Sequence, residues 1–306
     1  MNILVACSEI GSASALKQIL IDKKINQFFF TGTELAKNFF KSCKDFKILP
    51  YNGEKELEAI YLGSTLGPSA ERDIYLNDSL KGIKKIAVID SYWNVSQRFT
   101  DENSGVKWAY VPNKIFIPNH ILEKKLINEG FYGEIEIFKS ESFTNANELK
   151  KDKDEIRKKY NVKDGQRVFI FISEYSQKIP SSWEIEVDQF NYEEIHYSIS
   201  MFLEHVNYLN SLEDNVVPFI KWHPTLLDKQ NLKKKLPSIN CLETISKDEL
   251  FSLGDVFFGL NSMLFLEATR KGFPAVSLMS DKMMKKNNLS NYVDEIISTN
   301  KIEFRL

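Results

Sequence analysis

Cysteine, histidine and long apolar runs are the scarcest features of this chain, and each shortage excludes something. Only 3 cysteines occur in 306 residues. Cys7, Cys43 and Cys241 are too far apart for metal-ligand or redox spacing, and they are read as buried thiols of a reducing compartment. Of the 4 histidines, His120, His196 and His205 have no partner at ligand spacing, so no metal site is expected. No stretch approaches the ~20 apolar residues that cross a bilayer. The opening MNILVACSEIGS lacks the basic segment of a secretory signal. The expectation is a soluble, cytoplasmic protein with at most peripheral membrane association. A basic excess is missing too: 40 Lys and Arg face 42 Asp and Glu, for a net charge of −2. That argues against nucleic acid as a partner, because phosphate contacts leave a basic surplus. No GxGxxG fingerprint occurs, so no dinucleotide cofactor is expected, and no other cofactor is called for.

What is present is alternation. Runs of four to seven residues rich in Val, Ile and Phe fit buried strands at 3–7, 26–32, 59–63, 85–90, 114–118 and 134–138. Helical patterns lie between several of them, at 12–24, 33–42, 69–81 and 119–129. A charged stretch at 142–166, with Asn145 as its cap, reads as a solvated helix and as the connection between domains. The alternation then restarts, with strands at 167–173, 216–222, 255–259 and 274–278. Helices at 192–211, 226–236, 246–253 and 261–271 connect them. The fold class is therefore α/β, with parallel sheets covered by helices on both faces. Two Rossmann-like domains are expected, 1–144 and 145–306, facing across a cleft. Ligands of such sheets bind beyond the carboxyl ends of the strands, which directs attention to the turns.

In the first half, CSEIGSASAL places Ser8, Glu9, Gly11 and Ser12 after the first strand. Gly11 permits a tight turn, and Ser12 can cap the helix and bind substrate. Glu9 is either a general base or a ligand of backbone amides at the helix start. YLGSTLGPSAERD adds a small polar loop with Ser64. VIDSYWNVSQRF ends a strand at Asp90 and carries Trp93, Asn94, Arg98 and Phe99. This mixture suits a sugar, with Trp93 stacking and Asp90, Asn94 and Arg98 meeting hydroxyls or anions. Equally, Trp93 and Phe99 could pack the domain while Asp90 caps a helix.

In the second half, VVPFIKWHPTLLDKQ closes a strand with Lys221, Trp222, His223 and Pro224. Thr225 can cap the next helix, and Lys221, His223 and the helix amides could neutralise a phosphate. FFGLNSMLFLEATRKG repeats this geometry. A strand ends at Gly259, Asn261 and Ser262 open a helix, and Glu267 inside it could take ribose hydroxyls. Glu174, after the strand at 167–173, is a further candidate for substrate binding. Lys229, Lys233, Lys234 and Lys235 read as a solvated face.

KWHP (221–224) followed by GLNSMLFLEATRKGFPAVSL (259–278) resembles the nucleotide-binding half of bacterial GT-B glycosyltransferases of surface-carbohydrate biosynthesis. The likeness is to enzymes with an His-Pro motif and a later Ser motif, bacterial sialyltransferases among them. LGSTLGPSAERD and VIDSYWNVSQRF resemble segments of capsule and lipopolysaccharide cluster proteins of that fold. The resemblance covers residues 59–99 and 216–278. It implies that His223 and Ser262 meet the phosphate of a CMP- or UDP-linked donor, that Glu267 meets its ribose, and that the base comes from the amino-terminal domain. The Asp/Glu-Asp-Gly motif of sialyltransferases is missing from the first half, which leaves Glu9, Asp90 and Glu71 as acids. The implied activity is metal-independent transfer of a sugar to a cell-surface glycan. An epimerase or hydrolase acting on nucleotide sugars, or a non-catalytic two-lobed binding protein, remains as an alternative.

Overall fold

In a computed structural model, the chain forms two compact units, one drawn from Met1–Phe143 and the other mainly from residues after Thr144. The structure describes residues 2–53, 56–101, 103–140, 152–174, 192–223, 229–236, 239–280, 282–283 and 303–304.

The first unit is built on seven parallel strands in the order β3-β2-β1-β4-β5-β6-β7. These are β1 (Ile3–Cys7), β2 (Gln27–Gly32), β3 (Lys47–Leu49), β4 (Ala59–Leu62), β5 (Lys84–Val88), β6 (Lys114–Ile117) and β7 (Glu134–Ile137). Every residue of β1 and β4 is buried, as a strand covered on both faces requires. The helices are α1 (Ile10–Asp22), α2 (Glu34–Ser42), α3 (Ala70–Leu76) and α4 (His120–Asn128). Phe28, Phe40 and Phe46 meet edge to face beneath α2, with centroids 5.4 to 5.9 Å apart. Each buried ring of this kind contributes ~1.5–3 kcal/mol.

The second unit repeats the plan with six parallel strands in the order β10-β9-β8-β11-β12-β13. They are β8 (Arg167–Ile172), β9 (Val216–Lys221), β10 (Asn240–Leu242), β11 (Val256–Gly259), β12 (Ala275–Ser277) and β13 (Glu303–Phe304). Around them stand α5 (Lys153–Lys159), α6 (Tyr192–Ser211), α7 (Lys229–Lys235), α8 (Lys247–Leu253) and α9 (Met263–Arg270). Phe169, Phe202 and Phe258 fill the space under α6, with centroids 5.0 to 5.2 Å apart.

One expectation is corrected here, that of three buried cysteines. In the charged segment a helix runs over Lys153–Lys159, with Asp152 as its cap; the expected cap, Asn145, lies outside the described residues. That helix is fastened to the second unit, because Lys153 and Arg157 pair with Asp255 and Lys159 pairs with Glu249. Of the three cysteines, only Cys7 is buried, whereas Cys241 is exposed and Cys43 is intermediate. Among the described residues, no helix is long and apolar enough to cross a membrane.

Candidate functional site

In both sheets the strand order reverses between the first strand and the fourth. Such a switch point is where an open parallel sheet leaves room for a ligand. In the first unit it lies between the carboxyl ends of β1 and β4, which pair in register from Ile3–Ala59 to Ala6–Leu62.

The first switch point is organised by Glu71, a residue of α3 that is only 5% exposed. Its Oε1 accepts from Ser8 N at 3.0 Å and from Thr65 Oγ1 at 2.9 Å. Its Oε2 accepts from Ser8 Oγ at 2.6 Å. Gly63 must be a glycine, since a Cβ there would stand 2.6 Å from Glu71 Oε1 and 3.0 Å from Ser12 Cβ. Glu71 is thus a structural acid that clamps the two strand ends. The adjacent Cys7 thiol has its pKa pushed well up, first by burial and then by the Glu71 charge.

Ser12 is buried inside α1 and does not cap it; its Oγ accepts from Ser64 N at 3.3 Å. The cap position belongs to Glu9, whose side chain makes no capping hydrogen bond. Gly11 lies in the first turn of α1 and makes no left-handed turn. It serves the approach of Asp90, because a Cβ there would be 2.4 Å from Asp90 Oδ2. Asp90 is therefore held at the opening of α1, where the helix dipole favours a negative charge. Arg98 Nη1 stands 3.6 Å from Asp90 Oδ1, and the two side chains are 10% and 18% exposed. The same nitrogen donates to the Ser64 carbonyl and reaches Ser64 Oγ at 3.3 Å. Sequence reasoning placed Ser64 on one segment and Asp90 with Arg98 on another, and the fold brings the two segments together.

Arg98 sits on a short 3-10 turn, Ser96–Phe99, that is supported from behind. Arg72 of α3 is buried and donates to Thr100 O and Gln97 O. Phe99 stacks on Trp108 at 5.4 Å, and Trp108 Nε1 donates to Glu129 O at 2.7 Å. Trp93 is 9% exposed and Phe99 3%, so both rings pack the unit as the packing alternative describes. Asn94 takes φ 51°, a left-handed conformation that asparagine tolerates well.

The second switch point lies between β8 and β11. Ser173 follows β8, and its Oγ accepts from His223 N at 2.7 Å, fixing the chain where it leaves β9. His223 is half-buried, while Pro224 and Thr225 lie outside the described residues. Lys221 Nζ donates to the carbonyl of Glu243 at 3.0 Å, so its charge is directed at the end of β10. Trp222 is 1% exposed and donates to Cys241 Sγ at 3.2 Å.

Across the switch point, Gly259 ends β11 with its Cα face against the Phe265 ring and the Ile172 carbonyl. Ser262 caps α9 by accepting from Phe265 N at 3.2 Å. The amides expected to meet phosphate are engaged by Glu174, whose Oε1 accepts from Asn261 N at 3.0 Å and Ser262 N at 2.9 Å. Burial pushes the Glu174 pKa up to about 7, against the pull of these amides and that of Leu260. Glu267 is buried on α9, and Lys247 of α8 donates to its Oε2 at 2.8 Å. The roles of Glu71 and Glu174 escaped sequence reasoning because their partners lie 63 and 87 residues away.

No protein family matches the sequence, and no curated protein matches it. Solved structures do match the fold. The UDP-GlcNAc 2-epimerase from Methanocaldococcus jannaschii superposes with a TM-score of 0.59 at 14% identity, over 100% of this chain and 89% of that one. S. aureus MnaA, in a UDP co-structure, gives 0.57 at 12% identity, over 91% and 79%. The wall teichoic acid polymerase TagF gives 0.55 at 11% identity, over 90% and 69%. The fold class is GT-B. At these identities the likeness is one of fold, two Rossmann-like domains in one chain.

Proposed function

We propose that the chain is a nucleotide-sugar enzyme that transfers a sugar from a CMP- or UDP-linked donor to a cell-surface glycan. The observation that carries this reading is the second switch point, where His223, Ser262 and Glu174 converge from β9, β11 and β8. His223 and Ser262 would face the donor's phosphate, and Glu267, held by Lys247, its ribose. Fold neighbours that use nucleotide sugars support the same class. In the first unit, Asp90 is the better-placed base, because Arg98 and the α1 amino terminus fix its carboxylate. As a base it would take the proton of an acceptor hydroxyl, and in the second unit His223 would offset charge on the donor's phosphate. No step in this scheme calls on a metal ion.

The test is turnover of CMP- and UDP-sugars by wild type and His223→Ala. Losing one phosphate contact should cost ~10²–10³ in rate; unchanged turnover in the variant would sink the assignment. A second reading, epimerisation or hydrolysis of the nucleotide sugar, is favoured by one observation. The solved epimerase superposes over the whole of this chain with the highest TM-score of the three. Sugar release or inversion at full rate without any acceptor would select that reading.

A further inference from the structure

The amides that open α9 already hold an anion, and it belongs to the protein. Asn261 N and Ser262 N both donate to one oxygen of Glu174, a side chain only 5% exposed. A helix amino terminus binds anions because its first N–H groups have no partner within the helix and its dipole favours negative charge. Here both attractions are spent on a carboxylate from the end of β8. A phosphate at the same turn needs those donors and brings a second negative charge into a desolvated corner, where like charges repel strongly.

We propose that Glu174 is a resident competitor of the donor phosphate, a carboxylate that must take up a proton or leave the Asn261 and Ser262 amides before a nucleotide can occupy them. The proposal rests on the nucleotide-sugar reading of this unit and adds its control. The step is a simple protonation: a solvent proton binds a Glu174 oxygen, the charge is lost, and the acid becomes a hydrogen-bond donor to phosphate. The surrounding elements leave this balance to the turn itself. On β9 and beyond it, Lys221 is turned to the Glu243 carbonyl, and the His223 backbone is held by Ser173. On α9 and α8, Glu267 and Lys247 satisfy each other. The ionisation of Glu174 is set by burial and by the three amides of residues 260–262, with no charged side chain among its causes in the described residues.

The experiment is calorimetric titration of UDP and CMP into the full chain at about pH 6 and about pH 8, where ionisation of a group near neutrality is resolved. Wild type, Glu174→Gln and Glu174→Asp are compared, each first checked for a cooperative melt. Using two buffers of different ionisation enthalpy counts the protons taken up. Wild type should bind ~10-fold more weakly at the higher pH, relative to the change shown by Glu174→Gln, as one group titrating near neutrality allows. It should also take up a proton that Glu174→Gln does not. Glu174→Asp, whose shorter side chain withdraws from the amides, should bind more tightly than wild type at the higher pH. The comparison cancels titration of the nucleotide's own phosphate. Identical pH dependence and identical proton uptake in wild type and Glu174→Gln would overturn the proposal while leaving the donor reading intact. Weaker binding by both variants at both pH values would overturn it too and make Glu174 a support of the turn. No binding by any of the three proteins would remove the donor reading and the proposal with it.

Discussion

Glu71 in the first unit and Glu174 in the second do the same job from opposite sides of the switch point. Each is buried, and each joins the end of its sheet's first strand to the end of its fourth. Glu71 reaches back from the helix after β4 to Ser8; Glu174 reaches forward from β8 to Asn261 and Ser262. Their donors differ. Two hydroxyls and an amide close on Glu71, and they engage both of its oxygens. Glu174 has backbone amides, which do not recover the cost of burial, so its carboxyl stays near neutrality at about 7. Equal burial therefore comes with side-chain and backbone donors in one unit and with backbone donors alone in the other. What a buried acid does depends on its donors as much as on its depth.

Breaking the clamp should have the largest effect. Glu71→Ala strands Ser8 N, Ser8 Oγ and Thr65 Oγ1 and should cost ~3–5 kcal/mol in urea unfolding. Glu71→Gln keeps an acceptor and can donate to the Ser8 hydroxyl, so its loss should stay below ~1.5 kcal/mol. Equal losses in the two variants would show that volume, not hydrogen bonding, holds the strand ends. The comparison sharpens with pH. Because the folded pKa of Glu174 is raised from 4.5 to about 7, folding favours its protonated form. Its contribution is complete below the ordinary value and is lost as pH rises through about 7, on the order of 3 kcal/mol at most. The stability difference between Glu174→Gln and wild type should therefore grow in favour of the variant across that window. A flat difference curve would show that Glu174 does not titrate across this window and acts only as a structural clamp.

Smaller effects test the surroundings. Gly11→Ala gains helix propensity, yet it drives a methyl toward Asp90 Oδ2, so a net loss of ~1 kcal/mol is expected in thermal unfolding. If Asp90 is the base, turnover should fall by more than that loss of stability explains. Lys247→Ala should be the mildest change, ~1 kcal/mol or less, because the lysine is 46% exposed and its pairing with Glu267 is screened. A larger loss would mean that Glu267 depends on that lysine alone.

The central strands were legible because they are wholly buried, and continuous apolar runs such as ILVAC and FIFI suit strands covered on both faces. Strands β3 and β10 were missed. Each is three residues long and carries exposed positions, which is too little for a run or an alternation to register. The helices of the first unit began within two residues of expectation, since Thr33, Ser69 and Asn119 announce their caps. In the candidate site, the turns were predictable from topology and the pairings within them were not. Ser12 looked like a cap because a small polar residue stands near a helix start; only the fold places it against Ser64. Asp90 and Arg98 share one segment and were found together, whereas the reach of Arg98 to Ser64 requires β4 and β5 side by side.

The strand orders also carry a consequence for how the polypeptide emerges during synthesis. In the second unit, β8 can pair with β9 once residue 221 is made, but its other edge stays open until β11 arrives at Val256. For that interval the nascent chain presents an unpaired, wholly apolar row, Val168 to Ile172, the kind of edge that recruits foreign strands. The first unit closes its central strand after a somewhat shorter interval, with Ala59. Chains arrested between β9 and β11 should therefore be the ones that demand a chaperone, and Glu174 gains its partners only after that exposure has ended.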